Sequence, residues 1–161
     1  MINKIIVEGP DSSGKSTVVE RIKNMLHWDS KSLHHLEKDQ FDRYLKEYAN
    51  NSNIVFDRSH ISEIVYSILW RNGNPFSDKE EEILNEMVKS KTLIIFVCPE
   101  IDIIKNRYKE RKFEQQIKFD ELEKSRKLFV KIMKNFPVIS YQSKDYGELD
   151  SLLLKIKEII K

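Results

Sequence analysis

Three short apolar runs stand out in the chain: Ile5 to Val7, Ile54 to Phe56 and Leu93 to Val97. Each is too short for a helix, rich in branched residues and free of polar alternation, which is the pattern of a strand buried on both faces. A weaker run, Val138-Ile139, follows Pro137. Between these runs the apolar spacing changes to the helical period. Lys15 to Leu26 gathers Val18, Val19, Ile22, Met25 and Leu26 on one face. Near the C-terminus, Leu149, Leu152, Leu153, Ile156, Ile159 and Ile160 form a longer stripe. Both predict helices laid on a sheet. Ser77 with Glu80 three residues on is a capping-box pattern, opening a helix to about Lys89 after the loop Asn72-Gly73-Asn74-Pro75. In the less periodic segment from Trp28 to Asn53, Leu33 to Leu36 is expected as a short edge strand and Phe41 to Tyr48 as a helix. Such alternation predicts a three-layer α/β fold, with a parallel sheet of about five strands and helices on both faces.

Composition narrows this picture. With 161 residues, 40% of them apolar, the chain suits one domain over residues 1–161 with a proper core. Its 28 basic and 26 acidic side chains nearly cancel, so no global field would hold it on nucleic acid or an anionic membrane. The single cysteine, Cys98, lies in an apolar run, which excludes an internal disulfide and points to a buried thiol in a reducing compartment. No apolar run approaches the ~20 residues that cross a bilayer. The first residues run straight into a core strand, without the h-region and cleavage site of a signal peptide, so a cytoplasmic protein is expected.

Between the first apolar run and the first helix stands Gly9-Pro10-Asp11-Ser12-Ser13-Gly14-Lys15-Ser16-Thr17, a phosphate-binding loop of the Walker A type in its required strand-to-helix position. Backbone N–H groups of such a turn converge on phosphates, the following helix points its positive end at them, Lys15 adds a cation and the Ser16 hydroxyl can ligate magnesium. The expected ligand is a nucleoside triphosphate, ATP, with Mg2+. A second acidic element, Asp57-Arg58-Ser59, closes the run Ile54 to Phe56. Asp57 there suits magnesium or the attacking oxygen, while the planar fork of Arg58 suits a further phosphate better than a water nucleophile. A GTPase is disfavoured, for neither an Asp-x-x-Gly switch nor an Asn-Lys-x-Asp sequence stands at a suitable position.

These segments resemble the thymidylate kinase group of nucleoside monophosphate kinases. Val7-Glu8-Gly9-Pro10-Asp11-Ser12-Ser13-Gly14-Lys15-Ser16-Thr17 is similar to the group's Glu-Gly-x-Asp-x-x-Gly-Lys-Ser/Thr-Thr loop, and Asp57 to Tyr66 resembles its Asp-Arg-x-x-x-Ser-x-x-x-Tyr element. Pro99-Glu100 with Arg107 and Arg111 is similar to its strand exit and lid. The resemblance implies a P-loop fold and Asp11 on the acceptor sugar hydroxyl. It also places Arg58 on the acceptor phosphate and makes Ser62 and Tyr66 lining residues of the acceptor site. Where some members carry a catalytic arginine this chain has Ser12, so Arg107 and Arg111, four apart on a predicted helix, are expected to reach over the transferring phosphate from a lid around residues 107–120. Arg43 is a further candidate for the acceptor base, while Phe41 beside it suits core packing. Tyr66 and Trp70, one turn apart, either wall the acceptor pocket or pack.

The resulting expectation is magnesium-dependent transfer of the ATP γ-phosphoryl group to a deoxynucleoside monophosphate, a thymidylate-like pyrimidine first. Lys15 and the loop would hold the donor, and Ser16 and Asp57 the metal. Ser67, where the group commonly has glutamine, and the compressed piece before Asp57 widen the acceptor to nucleosides and modified pyrimidine nucleotides. Two alternatives stay open: a deoxynucleoside or DNA kinase using the same loop, in which the basic stretch Lys124 to Lys134 would bind nucleic acid, and a regulator that binds ATP without transferring phosphate. A homodimer is among the expectations the resemblance carries, and no membrane partner is expected. His34 and His35, adjacent on the expected strand, would face opposite ways and so not chelate one metal. His60 stands at a helix start, either at the pocket or on the surface.

Overall fold

A computed structural model of the chain describes residues 2–111 and 117–161, so part of the expected lid lies outside the described residues. The strands are β1 (Lys4–Glu8), β2 (Asp29–Ser32), β3 (Ile54–Asp57), β4 (Thr92–Val97) and β5 (Val138–Tyr141). The helices are α1 (Lys15–Leu26), α2 (Gln40–Ala49), α3 (His60–Trp70), α4 (Asp78–Lys91), α5 (Ile101–Glu110), α6 (Leu122–Met133) and α7 (Tyr146–Ile160). The strands form one parallel sheet in the order β2-β3-β1-β4-β5. β1 sits at its centre, and successive connections leave it first toward β2 and then toward β4. The loop after β1 therefore opens where the strand order reverses, the place where ligands of such sheets bind.

Alternation along the central strands divides the core. Ile6, Phe56, Ile94 and Phe96 face α2, α3, α4 and α6, while Ile5, Val7, Val55, Ile95 and Val97 face α1 and α7. The expected three layers are thus present. The capping box is formed: Ser77 Oγ accepts from the Glu80 N–H, and Glu80 Oε2 accepts from the Ser77 N–H at 2.8 Å. Cys98 is buried. No helix among the described residues is long and apolar enough to cross a membrane.

The edge strand is not where apolar spacing put it. It is Asp29–Ser32, a polar segment pairing on one side only, with β3. An edge strand with its outer face in water needs no apolar pattern, so none marks it. Leu33 is buried, and its N–H donates to the Asp57 carbonyl at 3.1 Å, but residues 33–36 are irregular and the opposite-face argument for His34 and His35 does not apply.

His60 is neither at the pocket nor on the surface: it is fully buried in the core between α2 and α4. Its backbone N–H donates to Tyr48 Oη at 3.1 Å, leaving that hydroxyl to donate to Nδ1 at 2.9 Å. Nε2–H then donates to Asn85 Oδ1 at 2.9 Å, which fixes a neutral imidazole. Burial pushes the His60 pKa down from 6.5 to about 4, despite the opposing Asn85 bond. Between these values the unfolded chain takes a proton that the folded chain refuses, so stability falls as pH falls through this window. From pH 7 to pH 5 the wild type should lose about 2 kcal/mol more than a His60→Gln variant in urea titrations. Equal losses would show that His60 does not govern the acid response.

Candidate active site

The phosphate loop is shaped by contacts that allow no alternative side chain. At Gly9, φ is +150° and a Cβ would come within 2.1 Å of the Val97 carbonyl oxygen, so the loop leaves β1 pressed against the end of β4. Gly14 has φ +98°, and its Cβ would meet Arg107 Nη1 and Ser143 Oγ at 3.1 Å. The first turn of α1 carries no acidic residue, and Gly14 supplies no side-chain cap. Its free N–H groups and dipole are open to an anion. Ser16 and Thr17 are exposed, while Ser12 and Ser13 are buried with hydroxyls that find no partner among the described residues.

Lys15 is 6% exposed and its Nζ donates to the Pro10 carbonyl at 2.9 Å. Burial, reinforced by the nearby Arg58 charge and only partly offset by Asp11, Asp57 and Glu8, lowers its pKa from 10.5 to about 8. The register Val7↔Asp57 sets Asp57 beside the loop. Its Oδ1 is buried without a partner among the described residues, which fits a ligand for a hard cation. No group of three His, Cys, Asp or Glu among the described residues forms a metal site unaided, so a magnesium ion would depend on Ser16, Asp57 and phosphate oxygens together.

Asp57 leads into Arg58, whose φ of +77° turns its side chain back over the loop. Arg58 Nη2 pairs with Asp11 Oδ1 at 2.5 Å, and Nη1 donates to Tyr66 Oη at 2.8 Å and Ser62 Oγ at 3.5 Å. Burial opposes its charge, but Tyr66 and Asp11 outweigh it and raise the Arg58 pKa. For Asp11, burial is likewise outweighed by Arg58 and Lys15, which hold its carboxyl below the usual range. Tyr66 and Trp70 stack with centroids 4.9 Å apart and planes 9° from parallel. These four residues and Ser62 line a cleft of about 400 Å³. Glu8, which spacing alone did not single out, is buried beneath it and accepts hydrogen bonds from the Ser59 and Ser62 hydroxyls. Burial raises its pKa despite those two bonds.

A second cavity of about 460 Å³ opens on the other side of the loop, between Thr17, Val18, Arg107, Tyr141 and Ser143. Arg107 reaches the loop at its backbone. Its Nη1 donates to the Ser13 carbonyl at 2.7 Å and to Ser143 Oγ at 3.1 Å, and its Nη2 to the Ser143 carbonyl at 2.7 Å. Arg111, the C-cap of α5, lines the same cavity. Arg43 does not line the cleft; its Nη1 donates to the His34 carbonyl. Phe41 packs against the core. Sequence reasoning passed over Glu63 and Arg71 and weighed His35 only as a metal ligand, yet all three line the cleft. The spacing of Glu63, Ser67 and Arg71 was a readable signal, whereas His35 lies in the aperiodic stretch.

No protein-family model matches the chain. Over 152 residues it is 23% identical to YorR, an SPbeta prophage-derived uncharacterized protein of Bacillus subtilis strain 168, spanning 91% of both chains. A crystal structure of YorR in complex with phosphorylated GDP superposes with a TM-score of 0.84 at 19% identity, covering 98% of this chain and 95% of YorR. Deoxyadenosine kinase from M. mycoides, bound to dCMP and a flexible dCDP, gives 0.66 at 16% identity over 97% of this chain and 99% of the other. Thymidylate kinase from Candida albicans gives 0.56 at 18% identity over 99% and 91%. The chain has the three-layer fold that these P-loop proteins share, and the matches do not single out thymidylate kinases.

The depressed Lys15 pKa has a measurable consequence. A triphosphate favours the ammonium form, so above pH 8 binding must take up a proton. Affinity for ATP should be flat from pH 6.5 to 8 and weaken about tenfold per pH unit well above that. Dissociation constants measured over pH 6.5–10 test this, and Lys15→Arg, which stays charged, should remove the decline. A wild-type affinity constant up to pH 10 would refute it.

Proposed function

We propose that this chain is a magnesium-dependent phosphotransferase that moves the terminal phosphoryl group of a nucleoside triphosphate onto a deoxynucleoside or its monophosphate. The observation that carries the reading is the pair of cavities of about 460 and 400 Å³ flanking one phosphate loop, with Ser12 and Gly14 lining the first and Asp11 and Arg58 the second. The donor's base and sugar would enter beside Arg107 and Tyr141, and the acceptor the cleft under α3. The resemblance favours a thymidylate-like acceptor and ATP as donor. The dCMP and dCDP held by the M. mycoides enzyme widen the acceptor class, and the phosphorylated GDP held by YorR makes GTP a second donor to test.

In the reaction the acceptor oxygen forms a bond to the γ-phosphorus while the bond to the bridging oxygen of the departing diphosphate breaks. Catalysis is positioning and neutralisation. Lys15 would leave the Pro10 carbonyl for the β- and γ-phosphate oxygens, joined by the loop N–H groups and the unpartnered Ser12 and Ser13 hydroxyls. Ser16 and Asp57 would hold magnesium, which when bound screens the phosphate charge. Arg58 would trade part of its contact with Asp11 for the acceptor's anionic end, freeing Asp11 to accept from a sugar hydroxyl. Arg107 would brace the loop in its proposed catalytic role, and Arg111, in the same cavity, is the remaining cation for the charge in transit. Of the basic side chains on α6, Arg126 is spent on the Pro99 carbonyl at 2.9 Å and Lys127 on Glu123 at 2.8 Å, which favours a mononucleotide over a DNA strand.

Deoxynucleosides and their monophosphates, offered with Mg2+ and either ATP or GTP, should yield a phosphorylated product. Lys15→Ala should lower turnover by at least about a hundredfold. Its thermal midpoint should not drop, because the substitution removes a desolvated cation. Donor binding with no transfer to any acceptor would instead identify a regulator.

A further inference from the structure

Glu8, the last residue of β1, is fully buried and turned toward the start of α3. Its Oε1 accepts from Ser59 Oγ at 2.5 Å and from the Ser62 N–H at 3.3 Å, and its Oε2 accepts from Ser62 Oγ at 2.5 Å. The strand that launches the phosphate loop is thereby tied to the first turn of a helix on the acceptor side. Ser59 is the N-cap of α3, and its Oγ accepts from the Ile61 N–H at 3.1 Å, leaving the hydroxyl proton for Glu8. Burial pushes the Glu8 pKa up, against the two serine bonds and the charges of Arg58 and Lys15. A carboxylate enclosed in this way costs stability that a neutral side chain of similar size would not. Capping does not require it, since Ser59 already meets the helix N–H.

The groups that α3 carries give the carboxylate a use. Arg58 has three side-chain partners in the cleft: Asp11 from the phosphate loop, and Tyr66 and Ser62 on α3 at 2.8 and 3.5 Å. In the proposed reaction Arg58 gives up Asp11 for the acceptor's anionic end, so Tyr66 and Ser62 are the anchors it keeps. Both belong to the helix that Glu8 pins to β1. Ser62 can accept from Arg58 because its own proton is given to Glu8. Glu8 and Asp11 also both favour the Arg58 charge, and Glu8 stays in place when Asp11 turns to a sugar hydroxyl. Resting on the reading of this cleft as the acceptor site, we infer that Glu8 is a positioning residue. Through the first turn of α3 it holds the Arg58 guanidinium where the acceptor's phosphate would meet it.

The test is binding without donor, which needs no turnover. Deoxycytidine, deoxyadenosine, deoxyguanosine, thymidine and their 5′-monophosphates are titrated calorimetrically into wild-type protein and Glu8→Gln. The substitution keeps the shape and removes the charge. Its amide oxygen can stay with the Ser59 hydroxyl and the Ser62 N–H, so the amide N–H2 takes the place of Oε2 and donates to Ser62 Oγ. The Ser62 proton is then displaced toward Arg58, and that anchor is lost. The wild type should bind at least one monophosphate more tightly than its nucleoside. In Glu8→Gln that monophosphate should weaken about tenfold while its nucleoside changes by less than about threefold. Removal of a negative charge near an anion site, with no change in position, predicts the opposite, a tighter monophosphate. Unchanged or tighter monophosphate binding in Glu8→Gln, or an equal loss for nucleoside and monophosphate, overturns the positioning role while leaving the phosphotransferase reading intact. Equal wild-type affinity for nucleoside and monophosphate removes the Arg58–phosphate contact and the inference with it. Failure of the wild type to bind any of the panel, with ATP still bound at the loop, overturns the acceptor-site reading itself. Should Glu8→Gln not fold, Ser62→Ala decides: a loss confined to the monophosphate sustains the inference, and an equal loss or none overturns it.

Discussion

The parallel pairing of β1 between β3 and β4 determines where every charged group of the candidate site stands. Val7 faces Asp57 on one side and Ile95 on the other, so the phosphate loop and the Asp57-Arg58 turn leave the sheet at the same level on adjacent strands. The ladder continues one step past β3, where the Arg58 N–H donates to the Val7 carbonyl at 3.1 Å. On the β4 side, Gly9 packs so closely on Val97 that no side chain fits between them. The left-handed backbone at Arg58 costs on the order of 1 kcal/mol. It is offset by what it permits, a guanidinium folded over Tyr66 and against Asp11.

Two cations, Lys15 buried and Arg58 half-buried, share this neighbourhood and respond to it oppositely. Arg58 has a carboxylate and a tyrosine hydroxyl within hydrogen-bond reach, and its charge is favoured. Lys15 has only a carbonyl and feels the repulsion of Arg58, and its charge is disfavoured. In physical terms Arg58 is satisfied by the protein and Lys15 is not. An anion at the loop would relieve the second without disturbing the first. The unpartnered hydroxyls of Ser12 and Ser13 and the unpartnered Asp57 oxygen belong to the same imbalance: polar atoms are buried here with their hydrogen bonds left to a ligand.

What the sequence made legible is what rests on local spacing. The apolar runs, the α1 and α7 stripes, the Ser77–Glu80 box and the strand-loop-helix context of Gly9 to Thr17 each depend on residues within one turn or one strand. The rest depends on partners far along the chain. Asp29–Ser32 is a strand because β3 has a free edge, not because of its own composition. His60 is buried because Tyr48 and Asn85 close around it, and a histidine at a helix start carries no sign of that. Arg43 sits near the expected place but is drawn to the His34 carbonyl by the irregular path of residues 33–36. Glu63 was part of a motif whose aspartate, arginine and tyrosine drew the reading. Its hydrogen bonds to His35 and Gln40 reach it from the aperiodic segment.

The Arg107 guanidinium bridges the phosphate loop at the Ser13 carbonyl and the turn after β5 at Ser143, using both terminal nitrogens. A side chain so tied is a wall, and its planar face, rather than its edge, remains for a ligand in the 460 Å³ cavity. With Ser12 standing where some members of the resembled group carry a catalytic arginine, the proposed phosphotransfer would draw its positive charge from Lys15, Arg58 and Arg111. Lys15 is buried and Arg58 half-buried, whereas Arg111 is exposed beyond the last turn of α5. The candidate site therefore combines two cations held at the sheet's edge with one exposed side chain, Arg111, at the rim of the 460 Å³ cavity.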